Sequence, residues 1–135
     1  MKVIISCLNS KFIHSSLAPW CLFSGVKAYS LTNPDVKVME CTINSNIVDF
    51  AESILSEKPG ILSFSCYIWN IEKTLEVCKY LKSKSDVTII LGGPEVSYRA
   101  KNVLENYRFV DFVLSGEGEE TYPQLLDILS QKGDL

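Results

Sequence analysis

Short runs of β-branched and aliphatic residues alternate along this chain with longer amphipathic stretches, and the alternation repeats five times. At each boundary the hydrophobic period changes from an unbroken apolar run to helical spacing. This predicts strands at residues 2–8, 36–42, 60–65, 87–91 and 109–114, with helices at 16–30, 47–56, 71–83, 96–107 and 119–131. Strands that read as nearly continuous apolar runs are buried on both faces, as in a parallel sheet sandwiched between helices. The expected fold is α/β: a doubly wound, five-stranded parallel sheet of the flavodoxin-like, Rossmann-like kind, in the order 2-1-3-4-5.

Residues at the segment ends support the helices. Asn46 and Asn70 are placed to cap the helices that follow them, and Asn33-Pro34 and Lys58-Pro59-Gly60 stop those before them. Leu75, Cys78 and Leu81 recur at helical spacing. A chain of 135 residues fits one such domain.

Composition narrows the class further. With 47% hydrophobic and 21% charged residues, the chain reads as globular, and its apolar runs are far shorter than the roughly 20 residues a membrane span needs. Met1-Lys2 leads straight into the first strand with no signal-peptide pattern, so a soluble, cytoplasmic protein is expected. A net charge of −3 without a basic cluster argues against nucleic acid, and Lys79, Lys82 and Lys84 read as the solvated face of one helix. The five cysteines, Cys7, Cys21, Cys41, Cys66 and Cys78, are an odd number in apolar contexts and read as reduced, buried and structural. They lack the spacing of zinc or iron–sulfur ligands, so no metal site is expected in this segment.

In doubly wound sheets, ligands bind beyond the carboxyl ends of the strands, so function is sought in the five loops there. The first, Asn9-Ser10-Lys11-Phe12-Ile13-His14-Ser15-Ser16, is unusually polar. Its hydroxyls and amides suit a phosphate or an amide-rich ligand at a helix start, or else Ser15 or Ser16 simply caps the helix. His14, the single histidine, reads as a ligand, a general acid or base, or a hydrogen-bonding spacer. After strand 3, Ser63 and Ser65 precede Tyr67 and Trp69, whose rings offer a platform for a planar ligand or pack under the next helix.

After strand 4, Gly92-Gly93-Pro94-Glu95 places paired glycines at a strand end, where they let a ligand approach the backbone closely. After strand 5, Gly116 and Gly118 are interleaved with Glu117, Glu119 and Glu120, acids that would repel a phosphate. Glu117 either accepts hydrogen bonds from a ligand or caps the helix. No dinucleotide fingerprint or Walker loop occurs. A phospho-accepting receiver would need acids where Asn9 and Ser65 stand. One histidine supports no Ser-His-Asp set, and the domain reads as a holder with no catalytic residue of its own.

The strand-3 serine followed by the strand-4 glycine pair resembles the cobalamin-binding domain, whose signature runs DxHxxG, then SxL, then GG. The stretches NSKFIHSSLA, FSCYIWNIEKT, LGGPEVS and LSGEGEETYPQLL resemble the N-terminal cobalamin-binding-like domain of radical S-adenosylmethionine enzymes. Ser65 takes the serine of SxL, Tyr67 stands where the family often has leucine, and Gly92 and Gly93 take the glycine pair. The resemblance implies a cofactor groove for the cobalamin tail and corrin edge, lined from Asn9, Ser10, His14, Ser15, Ser65, Tyr67, Gly92, Gly93, Pro94, Glu95, Gly116 and Glu117. Around His14 the sequence reads FxHxxL: Phe12 replaces the aspartate and Leu17 the glycine, which counts against His14 as a cobalt ligand.

The resemblance also implies a longer protein. A C-terminal radical barrel of the same chain would carry a CxxxCxxC iron–sulfur cluster and S-adenosylmethionine, and would perform methyl transfer or radical ring closure. The end at Gly133-Asp134-Leu135, soon after the fifth helix, suits an excised N-terminal domain. Two other readings remain at this point: a vestigial structural or interaction domain that holds no cofactor, and a flavin mononucleotide binder using the serine-rich first loop.

Overall fold

The five apolar runs lie side by side in one all-parallel sheet in the order β2-β1-β3-β4-β5. The computed structural model describes residues 2–9, 17–32, 34–42, 46–66, 70–93, 100–114 and 121–131. The strands are β1 (Lys2–Asn9), β2 (Asp35–Thr42), β3 (Ile61–Ser65), β4 (Thr88–Gly92) and β5 (Phe112–Val113). The helices are α1 (Leu17–Tyr29), α2 (Ile47–Ser56), α3 (Ile71–Lys84), α4 (Ala100–Asn106) and α5 (Thr121–Gln131). The expected topology and the order of elements are borne out.

The sheet is covered on both faces. Side chains alternate along each strand, so Ile4, Leu8, Leu62, Phe64, Ile89 and Leu91 join one core cluster with α2, α3 and Val103 of α4. Val3, Ile5, Ile61 and Ile90 point the other way, onto Val26 of α1 and Tyr122, Leu126 and Leu129 of α5. The helices therefore divide between the faces, with α1 and α5 on one and α2, α3 and α4 on the other. All five residues of β3 are buried, its two serines included, as in a strand covered on both faces.

Local chemistry sets the helix ends. The side chain of Asn46 accepts a hydrogen bond from the Asp49 amide at 3.1 Å, as expected of a cap for α2. Asn70 stands before α3 but makes no side-chain cap bond, which corrects the sequence expectation; its amide is engaged elsewhere. At the amino edge, Glu57 accepts from Lys2 at 3.1 Å and Lys37 at 2.8 Å, tying the end of α2 to β1 and β2. Hydrogen bonds and charge from both lysines hold the Glu57 carboxyl below its ordinary pKa.

Three further expectations need correction. Lys79 and Lys84 are exposed, but the Lys82 ammonium donates to the Val87 carbonyl at 2.7 Å and pairs with Asp111 at 2.5 Å. Cys7, Cys66 and Cys78 are buried thiols, whereas Cys41, on the edge strand β2, is only partly buried. The fifth strand is two residues long: Phe109 precedes it, paired with the Tyr107 ring at 5.9 Å, and Phe112 is 36% exposed. As an edge strand β5 has one neighbour, so it lacks the second ladder that would extend its pairing.

Asp127 of α5 joins that helix to the chain leaving α1. Its carboxylate accepts from the Ser30 hydroxyl at 2.6 Å, the Leu31 amide at 2.9 Å, and the Thr32 hydroxyl and amide at 2.7 and 3.2 Å. Burial disfavours its charge, but these donors outweigh burial and hold its pKa down at about 2.

Candidate functional site

The carboxyl ends of the central strands are unusually poor in bulk on one face. Ser65 and Gly92 end β3 and β4 and are paired across the ladder. Alternation directs Ser65 to the same face as Ile61, Gly92 to that of Ile90, and Cys7 to that of Val3 and Ile5. All three residues therefore lie on the α1/α5 face, one row beyond the large aliphatic core. Among the described residues, a Cβ built on Gly92 comes no nearer than 4.0 Å to a neighbour, in ordinary van der Waals contact with Leu114. The position thus has room for a side chain it does not carry, and neighbouring Ser65, 4% exposed, supplies a polar end.

One pleat deeper, the slot is closed by the chain itself. Ser63 shares a hydrogen bond of 2.5 Å with the hydroxyl of Tyr122, whose ring is fully buried at the start of α5. Burial pushes the Tyr122 phenol well above its ordinary pKa, and the Ser63 bond only partly offsets this. The pair stays neutral and forms a floor between β3 and α5. Ser63 stood out in the sequence only as a hydroxyl in an apolar run, and nothing in the sequence pointed to Tyr122.

Gly93 behaves differently from its neighbour. Its φ is +102°, and a Cβ there would lie 2.5 Å from the Cys66 carbonyl oxygen and 2.8 Å from the Cys66 nitrogen. Close approach is thus required, as expected of the glycine pair, but at Gly93 the approaching backbone is the protein's own. The Cys66 amide donates to the Gly92 carbonyl at 2.7 Å, drawing the end of β3 against the turn after β4.

Asn70 is the other residue the sequence reading misassigned. It is 1% exposed, and its side-chain amide donates to the Leu8 carbonyl at 3.0 Å, the Ser65 carbonyl at 3.2 Å and the Cys7 sulfur at 3.5 Å. The Cys7 thiol in turn reaches the Ser65 carbonyl at 3.6 Å. Burial first, and then neighbouring Cys66, push the Cys78 thiol well above its ordinary pKa, so it remains an inert core group.

Of the sequence candidates, the structure brings Ser65, Gly92 and Gly93 together, and places Asn9 at the end of β1 opposite Thr42 of β2. Ser10, His14, Ser15, Tyr67, Pro94, Glu95, Gly116 and Glu117 lie outside the described residues.

This arrangement has a match among known families. The family model described as "B12 binding domain" matches residues 7–126, which takes in the whole carboxyl edge. The chain belongs to the B12-binding domain family. This B12-binding domain is similar to the "Cobalamin-dependent radical SAM methyltransferase TokK" of Streptomyces tokunonensis, at 35% identity over 59% of this chain and 12% of that protein. It is also similar to the "Hopanoid C-3 methylase" of Methylococcus capsulatus, at 30% identity over 75% of this chain and 20% of that protein. The B12-binding domain thus spans a fifth or less of the length of these relatives. Among solved structures, the cobalamin-dependent S-adenosylmethionine radical enzyme OxsB, with aqua-cobalamin and S-adenosylmethionine bound, shares the fold at a TM-score of 0.80. That match has 17% identity and covers 97% of this chain and 19% of that one.

Proposed function

We propose that the chain holds cobalamin at the carboxyl edge of its sheet, with Ser65 and Gly92 lining a slot for the cofactor's tail on the α1/α5 face. The observation that carries this reading is the spare room at Gly92, where among the described residues an added Cβ would come no nearer than 4.0 Å to a neighbour, beside the buried hydroxyl-bearing Ser65. A tail entering a parallel sheet at its carboxyl edge needs this removal of side-chain bulk. The Ser63–Tyr122 pair lies one pleat below the edge and would bound how far a tail could enter.

Family membership supports cobalamin over the flavin and cofactor-free readings. When bound, cobalamin supplies a cobalt centre able to carry a methyl group. The chain's own part is to bind and orient it. Asn9, Ser10, His14, Ser15, Tyr67, Gly93, Pro94, Glu95, Gly116 and Glu117 complete our proposed cofactor-binding set.

We further infer that residues 1–135 form one cobalamin-binding domain working with a radical barrel of the same polypeptide, which would hold the iron–sulfur cluster and S-adenosylmethionine. The methyltransferase and methylase relatives support methyl transfer as that enzyme's chemistry. The thiols Cys7, Cys41, Cys66 and Cys78 support a reducing, cytoplasmic setting. Among the described residues, no helix is long and apolar enough to cross a membrane.

The test is a titration of the chain with hydroxocobalamin, followed by gel filtration and visible absorption of the protein peak. The expected result is retention of about one corrin per chain, with loss in Gly92→Val and Ser65→Leu while circular dichroism stays native. Undiminished retention by both variants would remove the slot from the reading. No retention by the wild-type chain would leave a cofactor-free domain or a site completed by the barrel, and repeating the titration on a longer polypeptide that includes the barrel would separate the two.

A further inference from the structure

Asn70 occupies a particular place in the topology. In the order β2-β1-β3-β4-β5, the connection leaving β1 goes to one face of the sheet and that leaving β3 to the other, so the crevice opens between β1 and β3. The ladder between these two strands ends at Ser6 and Phe64. Beyond it, the Leu8 and Ser65 carbonyls are joined by a side chain from the start of α3, at 3.0 and 3.2 Å from the Asn70 amide nitrogen. The same nitrogen meets the Cys7 sulfur at 3.5 Å.

A buried side chain at the start of a helix ordinarily caps that helix, but this one faces outward to two other strands. The acceptors require a neutral donor. A carboxylate in this place would put a negative oxygen against two carbonyl oxygens, and a hydrocarbon would leave both carbonyls buried without this donor. The Asn70 amide is neutral and donates to both strands.

We propose that Asn70 is a positioning residue for the cofactor edge, clamping the ends of β1 and β3 so that the crevice at the switch point keeps the width cobalamin needs. The proposal rests on the reading that cobalamin binds at this edge. Asn70 itself acts through the strand ends it holds: Ser65, whose carbonyl it binds, is also the residue that lines the slot. Moving that carbonyl displaces the Ser65 hydroxyl and, through the Cys66 amide bonded to the Gly92 carbonyl, the opposite wall of the slot as well.

The test compares Asn70→Asp and the smaller, uncharged Asn70→Ser with Lys82→Met, in the 135-residue chain. Lys82→Met removes the contacts to Val87 and Asp111 near the amino edge, far from the clamp, and serves as a control for lost stability alone. Hydroxocobalamin affinity is read alongside thermal stability and amide hydrogen exchange. The clamp predicts about tenfold or greater loss of affinity in the Asn70 variants, with faster exchange confined to the strand ends at Leu8 and Cys66. Lys82→Met should keep its affinity within about twofold even where its melting temperature falls as far.

Affinity within about twofold of wild type in a folded Asn70 variant would overturn the proposal. So would equal weakening in Lys82→Met, because affinity would then follow stability alone. If neither the wild-type chain nor the longer polypeptide retains corrin, the cobalamin reading fails separately. Exchange then decides the clamp: acceleration confined to the strand ends supports it, and uniform acceleration overturns it.

Discussion

An alanine at Gly93 would carry its Cβ to 2.5 Å from the Cys66 carbonyl oxygen, at a φ of +102° that an L side chain rarely adopts. The obstacle is backbone on the neighbouring strand, so no rotamer change relieves it. The conformational strain alone costs about 1–3 kcal/mol. Separating the strand end from the turn would also stretch the bond from the Cys66 amide to the Gly92 carbonyl, at about 1 kcal/mol. A total near 3 kcal/mol is expected. With an unfolding entropy of about 2.1 cal/mol/K per residue, a domain of this size would melt about 10 °C lower. Gly92→Ala is the contrasting variant: its Cβ makes only ordinary contact with Leu114 at 4.0 Å, so stability should change by no more than about 0.5 kcal/mol while cobalamin retention falls. Urea denaturation and calorimetry of the two variants give the comparison. Equal stability of Gly93→Ala and wild type would refute the argument that Gly93 serves the protein's own packing.

Asp127, with its folded pKa depressed to about 2, contributes stability that is fully present above its unfolded pKa, near 4, and lost as pH falls through about 2. Urea titrations from pH 6 down to 2 should show about 2 kcal/mol of acid-dependent stability that Asp127→Asn lacks, and an unchanged slope in that variant would refute the assignment. Tyr122→Phe should cost about 1–2 kcal/mol by leaving the Ser63 hydroxyl buried without its partner, and Ser63→Ala in the same chain should recover part of this. A denaturation double-mutant cycle measures the coupling, and additive losses would remove the Ser63–Tyr122 bond as the floor of the slot.

The family and the parallel sheet were legible in the chain because both reside in local pattern. Apolar runs such as Ile89–Leu91 are buried on two faces and read as continuous, and Ser65 with Gly92-Gly93 stands at strand ends that periodicity alone locates. Asn46 was readable as a cap because its partner is three residues away. Asn70 was misread because two of its three partners, Leu8 and Cys7, are more than sixty residues away in sequence, and local rules see only the helix that follows it.

The same separation governs the other surprises. Lys82 looks solvated in its own helix, but its carboxylate partner comes from the start of β5, 29 residues on. Asp127 is an ordinary surface acid by helical position until α5 packs beside the end of α1 and presents it with two amides and two hydroxyls. The two glycines are identical as letters, yet where β3 and β4 end Gly92 has room for a Cβ and Cys66 stands against Gly93. Hydrophobic period and turn chemistry are properties of neighbouring residues, so the sequence by itself determined strand, helix, sheet type and edge. Which groups meet across that edge depends on register and on how the helices divide between the two faces, and only the tertiary structure decided it.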